Sequence, residues 1–148
     1  MSPDFKDLLQ CFNDENVEYM VVGGYAVMAY TEPRYTKDLD LWIRAEPENA
    51  RRAFRALAKF GAPLDQVSVD DFACEGNVFQ IGLAPVRADI LMSISGLTFD
   101  AAWPNKQRQD FGGITAWVIS RADLIRNKRS SARPQDLLDV ANLEAADD

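Results

Sequence analysis

Residues Tyr19 to Ile43 read YMVVGGYAVMAYTEPRYTKDLDLWI, and the fold turns on this stretch. The β-branched and aromatic run Tyr19–Val22 predicts a short buried strand. Gly23-Gly24 turns it into a helix over Tyr25–Tyr30, Thr31–Lys37 with Pro33 is loop, and Leu39–Ile43 is a second strand. Side chains alternate along a strand, so Asp38 and Asp40 point one way while Leu39 and Leu41 point the other. Two carboxylates converging beside a core strand repel unless a cation lies between them, and such hard oxygen donors suit Mg²⁺ or Mn²⁺. The glycine turn opens a helix, where free backbone N–H groups and the positive end of the helix dipole favour phosphate. Metal-binding carboxylates beside a phosphate cradle point to nucleotide chemistry.

The whole chain bounds that reading. Its 148 residues, 47% apolar and 26% charged, are enough for one domain with a real core. The net charge of −7 argues against a broad basic surface for nucleic acid. There is no histidine, which removes Ser-His and Cys-His triads and leaves Asp, Glu, Lys or Tyr for acid–base work. Cys11 and Cys74 show no paired spacing, so neither a disulfide framework nor a zinc site is signalled. No apolar run approaches a membrane span and the start MSPDFKDLL is acidic, so we expect a cytoplasmic protein with no membrane partner.

Outward from the central stretch, Ser2-Pro3 caps a first helix whose Phe5, Leu8, Leu9 and Phe12 share a face. Pro47 to about Phe60 reads as a helix ended by Gly61, with Ala50, Phe54, Leu57 and Ala58 as its apolar stripe. Its Arg51, Arg52, Arg55 and Lys59 read as a solvated face. A short helix near Val69–Phe72 is all that residues 62–77 offer. Val78–Leu83 and Val86–Leu91 form a hairpin joined at Ala84-Pro85, and the second strand carries Asp89 as a lone acid in apolar company. Leu97–Trp103 reads as helix and Ile114–Ile119 as extended, with Gly112-Gly113 as the turn between them. Ser120 and Asp123 make a capping box for a helix through about Ser130. Pro134 opens a last helix with Leu137, Leu138, Ala141 and Leu143 towards the core. The order implies an α/β (α+β) fold, a mixed sheet of four to five strands with helices against it.

Each motif is weak alone; their order and spacing are not. The composite G-G-x-A-x₁₁-D-x-D, with a third Asp on a later strand, resembles the DNA polymerase beta-like nucleotidyltransferase superfamily. Arg34 and Thr36 ahead of Asp38 resemble the R-x-T-x-D-[IL]-D pattern of the AbiEii-type toxin nucleotidyltransferases. The tail LIRNKRSSARPQDLLDV is similar to the L-x-x-x-K…R-x-x-D-x-x-D segment of the same families.

The resemblance implies roles. Gly23 and Gly24 would hold the β- and γ-phosphates of a nucleoside triphosphate, with Arg34 and Thr36 beside them. Asp38 and Asp40 would bind two divalent ions, and Asp89 would complete one metal site and act as general base. Lys128 matches the motif lysine and would touch phosphate, and Asp136 would orient it or line the acceptor side. Read without the resemblance, Lys128 is one of several exposed bases and Asp136 a first-turn acid favoured by the helix dipole. Tyr30 stands where relatives commonly carry histidine.

The expected domain is a single minimal nucleotidyltransferase unit over 1–148, with helices over about 121–146 packed on its core. It would transfer a nucleoside monophosphate to an acceptor: a tRNA 3′ end, a protein side chain or a small hydroxylated molecule, as in aminoglycoside modification. The shortness of the chain leaves room for a partner protein or a homodimer to complete the acceptor site. Two rival expectations are a regulatory member of a toxin–antitoxin pair and an inert nucleotide-binding domain.

Overall fold

The computed structural model describes residues 1–83 and 85–146. Helix α1 (Pro3–Asp14) starts where the Ser2 hydroxyl accepts from the Phe5 N–H, and it buries Phe5, Leu8, Leu9 and Phe12. Strand β1 (Tyr19–Val22) is buried throughout. It runs directly into α2 (Gly23–Tyr30), so the two glycines are the helix's first residues rather than a separate turn. Strand β2 (Asp38–Ile43) begins one residue earlier than its apolar run.

Helix α3 (Pro47–Phe60) is capped by the Glu46 carboxylate and ended by Gly61 at φ +95°. Its buried face is Asn49, Ala50, Ala53, Ala56 and Leu57; Ala58 is exposed. Asn49 uses its amide to bond Glu18 N–H and the Glu18 and Arg44 carbonyls, tying α3 to the approach to β1. The basic face is solvated, with Arg51, Arg55 and Lys59 paired to Glu48, Glu15 and Asp14. A single 3₁₀ turn over Val69–Ala73 packs against α3 through Phe72 and Phe54.

Strands β3 (Val78–Leu83) and β4 (Val86–Leu91) form the expected antiparallel hairpin; Ala84 of its joint lies outside the described residues. Helix α4 is short, Phe99–Ala102, and a 3₁₀ turn over Trp103–Asn105 follows. Then comes a strand not anticipated, β5 (Gln107–Asp110), joined through Gly112-Gly113 to β6 (Thr115–Val118). That glycine pair, both at positive φ, is therefore a hairpin turn. Helices α5 (Arg121–Ser131) and α6 (Pro134–Ala145) complete the fold.

All six strands lie in one mixed sheet of order β3-β4-β2-β1-β6-β5, against an expectation of four to five. Strand β1 pairs antiparallel with β2 and parallel with β6, and β2 pairs parallel with β4. Leu39, Leu41 and Ile43 of β2 enter the core, which leaves Asp38 and Asp40 on the opposite face. Helix α6 is rotated from its expected setting. Leu137 and Leu138 are about half exposed and Ala141 is exposed, while Asp136, Asp139, Val140 and Leu143 are buried. Among the described residues no helix is long and apolar enough to cross a membrane.

Candidate active site

The register of the sheet gathers the carboxylates. Asp40 on β2 lies opposite Asp89 on β4, and Asp38 lies opposite Arg87. Burial, with the charges of Asp89 and Asp38 and a hydrogen bond to Asp89, pushes the Asp40 carboxyl up to about 7 despite the nearby positive charge of Lys128. Asp38 Oδ1 is buried and has no hydrogen-bond partner among the described residues. An orphaned carboxylate oxygen beside two further carboxylates is a donor set short of positive charge, and it fits a hard divalent cation.

Asp89 is not the lone acid the sequence suggested. Arg87, two residues before it and on the same face of β4, donates through Nε to Asp89 Oδ1 at 2.9 Å and through Nη2 to Oδ2 at 3.3 Å. Nη2 also lies 3.4 Å from Asp38 Oδ2. Among the described residues no three His, Cys, Asp or Glu side chains stand grouped as a ready metal cage.

The start of α2 abuts the carboxylates. Gly23 has φ +68°, and a Cβ there would lie 2.3 Å from Asp40 Oδ2. A Cβ on Gly24 would lie 2.6 Å from Thr36 Cγ2 and 3.3 Å from an Arg34 guanidinium nitrogen. Only glycine lets the backbone come this close. The residue preceding the helix is Val22, whose side chain makes no capping bond, so the first N–H groups of α2 receive none from it. Thr36 thus packs against the helix start, and Arg34 reaches past it.

Helices α5 and α6 supply the other wall. Lys128 is 7% exposed, its ammonium 3.4 Å from Asp136 and 3.2 Å from Asp139, which excludes the solvated-base reading. Asp139 is fully buried and accepts from Arg34 at 2.5 and 3.4 Å and from Gln135 at 2.9 Å. Asp136 accepts from the Arg133 backbone N–H at 3.2 Å and from its Nε at 2.8 Å. Arg133 and Lys128 hold Asp136, and Arg34, Gln135 and Lys128 hold Asp139, both below the usual carboxylate range in spite of burial. Arg133 and Asp139 fall within the R-x-x-D-x-x-D segment but were given no role, and Arg87 was missed altogether. The Asp136-x-x-Asp139 spacing, one helix face, was the signal for Asp139; R-x-D on a strand, one sheet face, was the signal for Arg87.

Between these walls runs a cleft of about 520 Å³ bounded by Gly23, Gly24, Arg34, Asp40, Lys128, Arg133 and Asp139. A second hollow of about 400 Å³ adjoins it, lined by Thr36, Lys37, Asp38 and the exposed Tyr35, and it shares Gly24, Arg34, Asp40 and Gln135 with the first. Tyr30 stands apart from the carboxylates; its hydroxyl donates to the Ile119 carbonyl at 2.7 Å, and burial pushes it up to about 12. Tyr25 packs edge-on against Phe5 and Phe111.

This mixed sheet with its helices is the nucleotidyltransferase fold. Three solved structures share it. The lincomycin-bound lincosamide antibiotic adenylyltransferase LnuA is 15% identical with a TM-score of 0.65, over 99% of this chain and 98% of that one. A putative nucleotidyltransferase from Thermotoga maritima is 15% identical with a TM-score of 0.56, over 96% and 85%. An antigenic nucleotidyltransferase-like protein from Paracoccidioides brasiliensis is 14% identical with a TM-score of 0.56, over 97% and 77%. No protein-family model and no curated protein matches the chain.

Proposed function

We propose that this protein is a nucleotidyltransferase that moves a nucleoside monophosphate from a nucleoside triphosphate to a hydroxyl of a small molecule. The observation that carries the reading is the cleft itself. Carboxylates short of positive charge face the start of α2, which has no side-chain cap, on one side and the cations Lys128, Arg34 and Arg133 on the other. The backbone N–H groups at Gly23 and Gly24 bind the triphosphate tail, and Lys128 adds a point charge held in place by Asp136 and Asp139. Asp38, Asp40 and Asp89 would hold Mg²⁺ or Mn²⁺, which would supply positive charge against the phosphates. The acceptor oxygen attacks the α-phosphorus, its proton passes to Asp89, and pyrophosphate leaves. Fixed donors facing the phosphates stabilise the charge that builds there.

Three facts favour a small acceptor. The adenylyltransferase LnuA, solved with lincomycin bound, is spanned over 98% of its length by this chain. The hollow beside Asp38 is of small-molecule size, and the net charge of −7 disfavours a large RNA.

The test is label transfer from each of the four α-³²P nucleoside triphosphates to a panel of hydroxylated antibiotics, to bulk tRNA and to protein. Label should reach a small hydroxylated acceptor and fall about 10³-fold or more in the Asp38→Ala/Asp40→Ala variant. Label on tRNA or protein alone would overturn the small-acceptor assignment. Equal labelling by the double variant, or none on any acceptor, would overturn the enzyme.

A further inference from the structure

The carboxylate set already holds one cation of its own. The Arg87 guanidinium occupies both oxygens of Asp89 and one oxygen of Asp38, leaving Asp38 Oδ1 without a partner. We propose that Arg87 is a resident counter-cation that competes with the divalent ion for Asp38 and Asp89, and so sets how tightly metal binds before substrate arrives. The inference rests on the metal site of the nucleotidyltransferase reading.

Three observations support it. The first is stoichiometry. Arg87 contributes a single positive charge, paired to Asp38 and Asp89, among three carboxylates, and so does not balance them. The second is geometry. A guanidinium fork meets a carboxylate edge-on through two N–H donors, whereas a Mg²⁺ ion needs those oxygens at about 2.0–2.1 Å, so both cannot use Asp89 in the same way. Among the described residues the acids do not form a closed cage. The third is mobility of the charge. The Arg87 side chain is 46% exposed against 12% for Asp89, so the guanidinium can turn into solvent and keep its hydration, provided that another cation takes over the charge of the buried acid. Lys128 is the opposite case, its side chain buried and clamped by two buried acids, a cation that stays.

Competition predicts that removing the guanidinium tightens metal binding, while a purely supporting role predicts the reverse. Mn²⁺ is titrated into the full chain without nucleotide, and free ion is read by electron paramagnetic resonance, for wild type, Arg87→Met, Arg87→Lys and Asp38→Ala/Asp40→Ala. We expect Arg87→Met to bind Mn²⁺ about five- to tenfold more tightly than wild type. Arg87→Lys, which keeps the charge and loses the fork, should gain less, and the double variant should lose the site. Arg87→Gln carries the same expectation as Arg87→Met should the latter fail to fold, and circular dichroism checks each variant. Unchanged or weaker binding in the Arg87→Met or Arg87→Gln protein overturns the competition alone. Wild-type Mn²⁺ binding that is absent, or that ignores the double variant, overturns the metal site and this inference with it.

Discussion

The cleft has two acidic walls made from the same residue type and held in opposite states. On the α5–α6 wall, Asp136 and Asp139 are buried yet stay ionised below the usual range, because Lys128, Arg34 and Arg133 supply hydrogen bonds and charge. On the sheet wall, Asp40 is pushed up to about 7, first by burial and then by the charges of Asp89 and Asp38, with only Lys128 opposing the shift. Burial alone therefore does not decide what an aspartate does. The cations within reach decide as well: one wall has its carboxylates fully paired, while the other sets three carboxylates against the single guanidinium of Arg87.

The most severe way to break this comparison is to remove a carboxylate from the completed wall. Asp139→Ala leaves Lys128 buried and half paired and Arg34 unanchored, so it should destabilise the protein by about 3–5 kcal/mol in urea unfolding. Loss below about 1 kcal/mol would mean that water replaces the pair. The seam between the walls comes next. Gly24→Ala drives a Cβ into Thr36 and should cost about 1–3 kcal/mol, with part recovered by adding Thr36→Ala.

The pH dependence separates the walls with a smaller effect. Asp40 takes up its proton more readily in the folded state, so the stability it contributes without metal is present below about pH 4 and is lost as pH rises towards about 7. Asp136 and Asp139 run the other way: their contribution is present above the ordinary carboxylate range and is lost as pH falls through it. Thermal melts of metal-free protein should thus fall by a few degrees between pH 5 and pH 8, and Asp40→Asn should flatten that slope. A slope that survives the substitution assigns the titration to another group.

Much of this was readable in the sequence, for physical reasons that also mark where reading stopped. The stretch from Tyr19 to Ile43 carries apolar runs, punctuation and paired acids in one window, so its strands and helix fall close to their expected places. Strand β5, sequence QRQD, has no apolar alternation because it is an exposed edge, and it owes its extended form to pairing with β6. Helix α6 was set on its leucines, but its inward face is chosen by ionic partners: Asp136 and Asp139 turn towards Lys128, and Leu137 and Leu138 are left outside. An apolar stripe finds a greasy neighbour; it does not find a buried lysine. Arg87 was missed because its partnership with Asp38 depends on the β2–β4 register, which the sequence does not print.

The strand order has a kinetic consequence. Strand β1 lies between β2 and β6, and Val21 meets Val118 only after most of the chain between them has been made. Pairings this distant in sequence are slow to form, since the loop they close is long. The acids of α6 come later still along the chain than β6. Closure of the cleft therefore depends on pairings among the most distant in the sequence, and the first glycines and acids have no cleft until those pairings form.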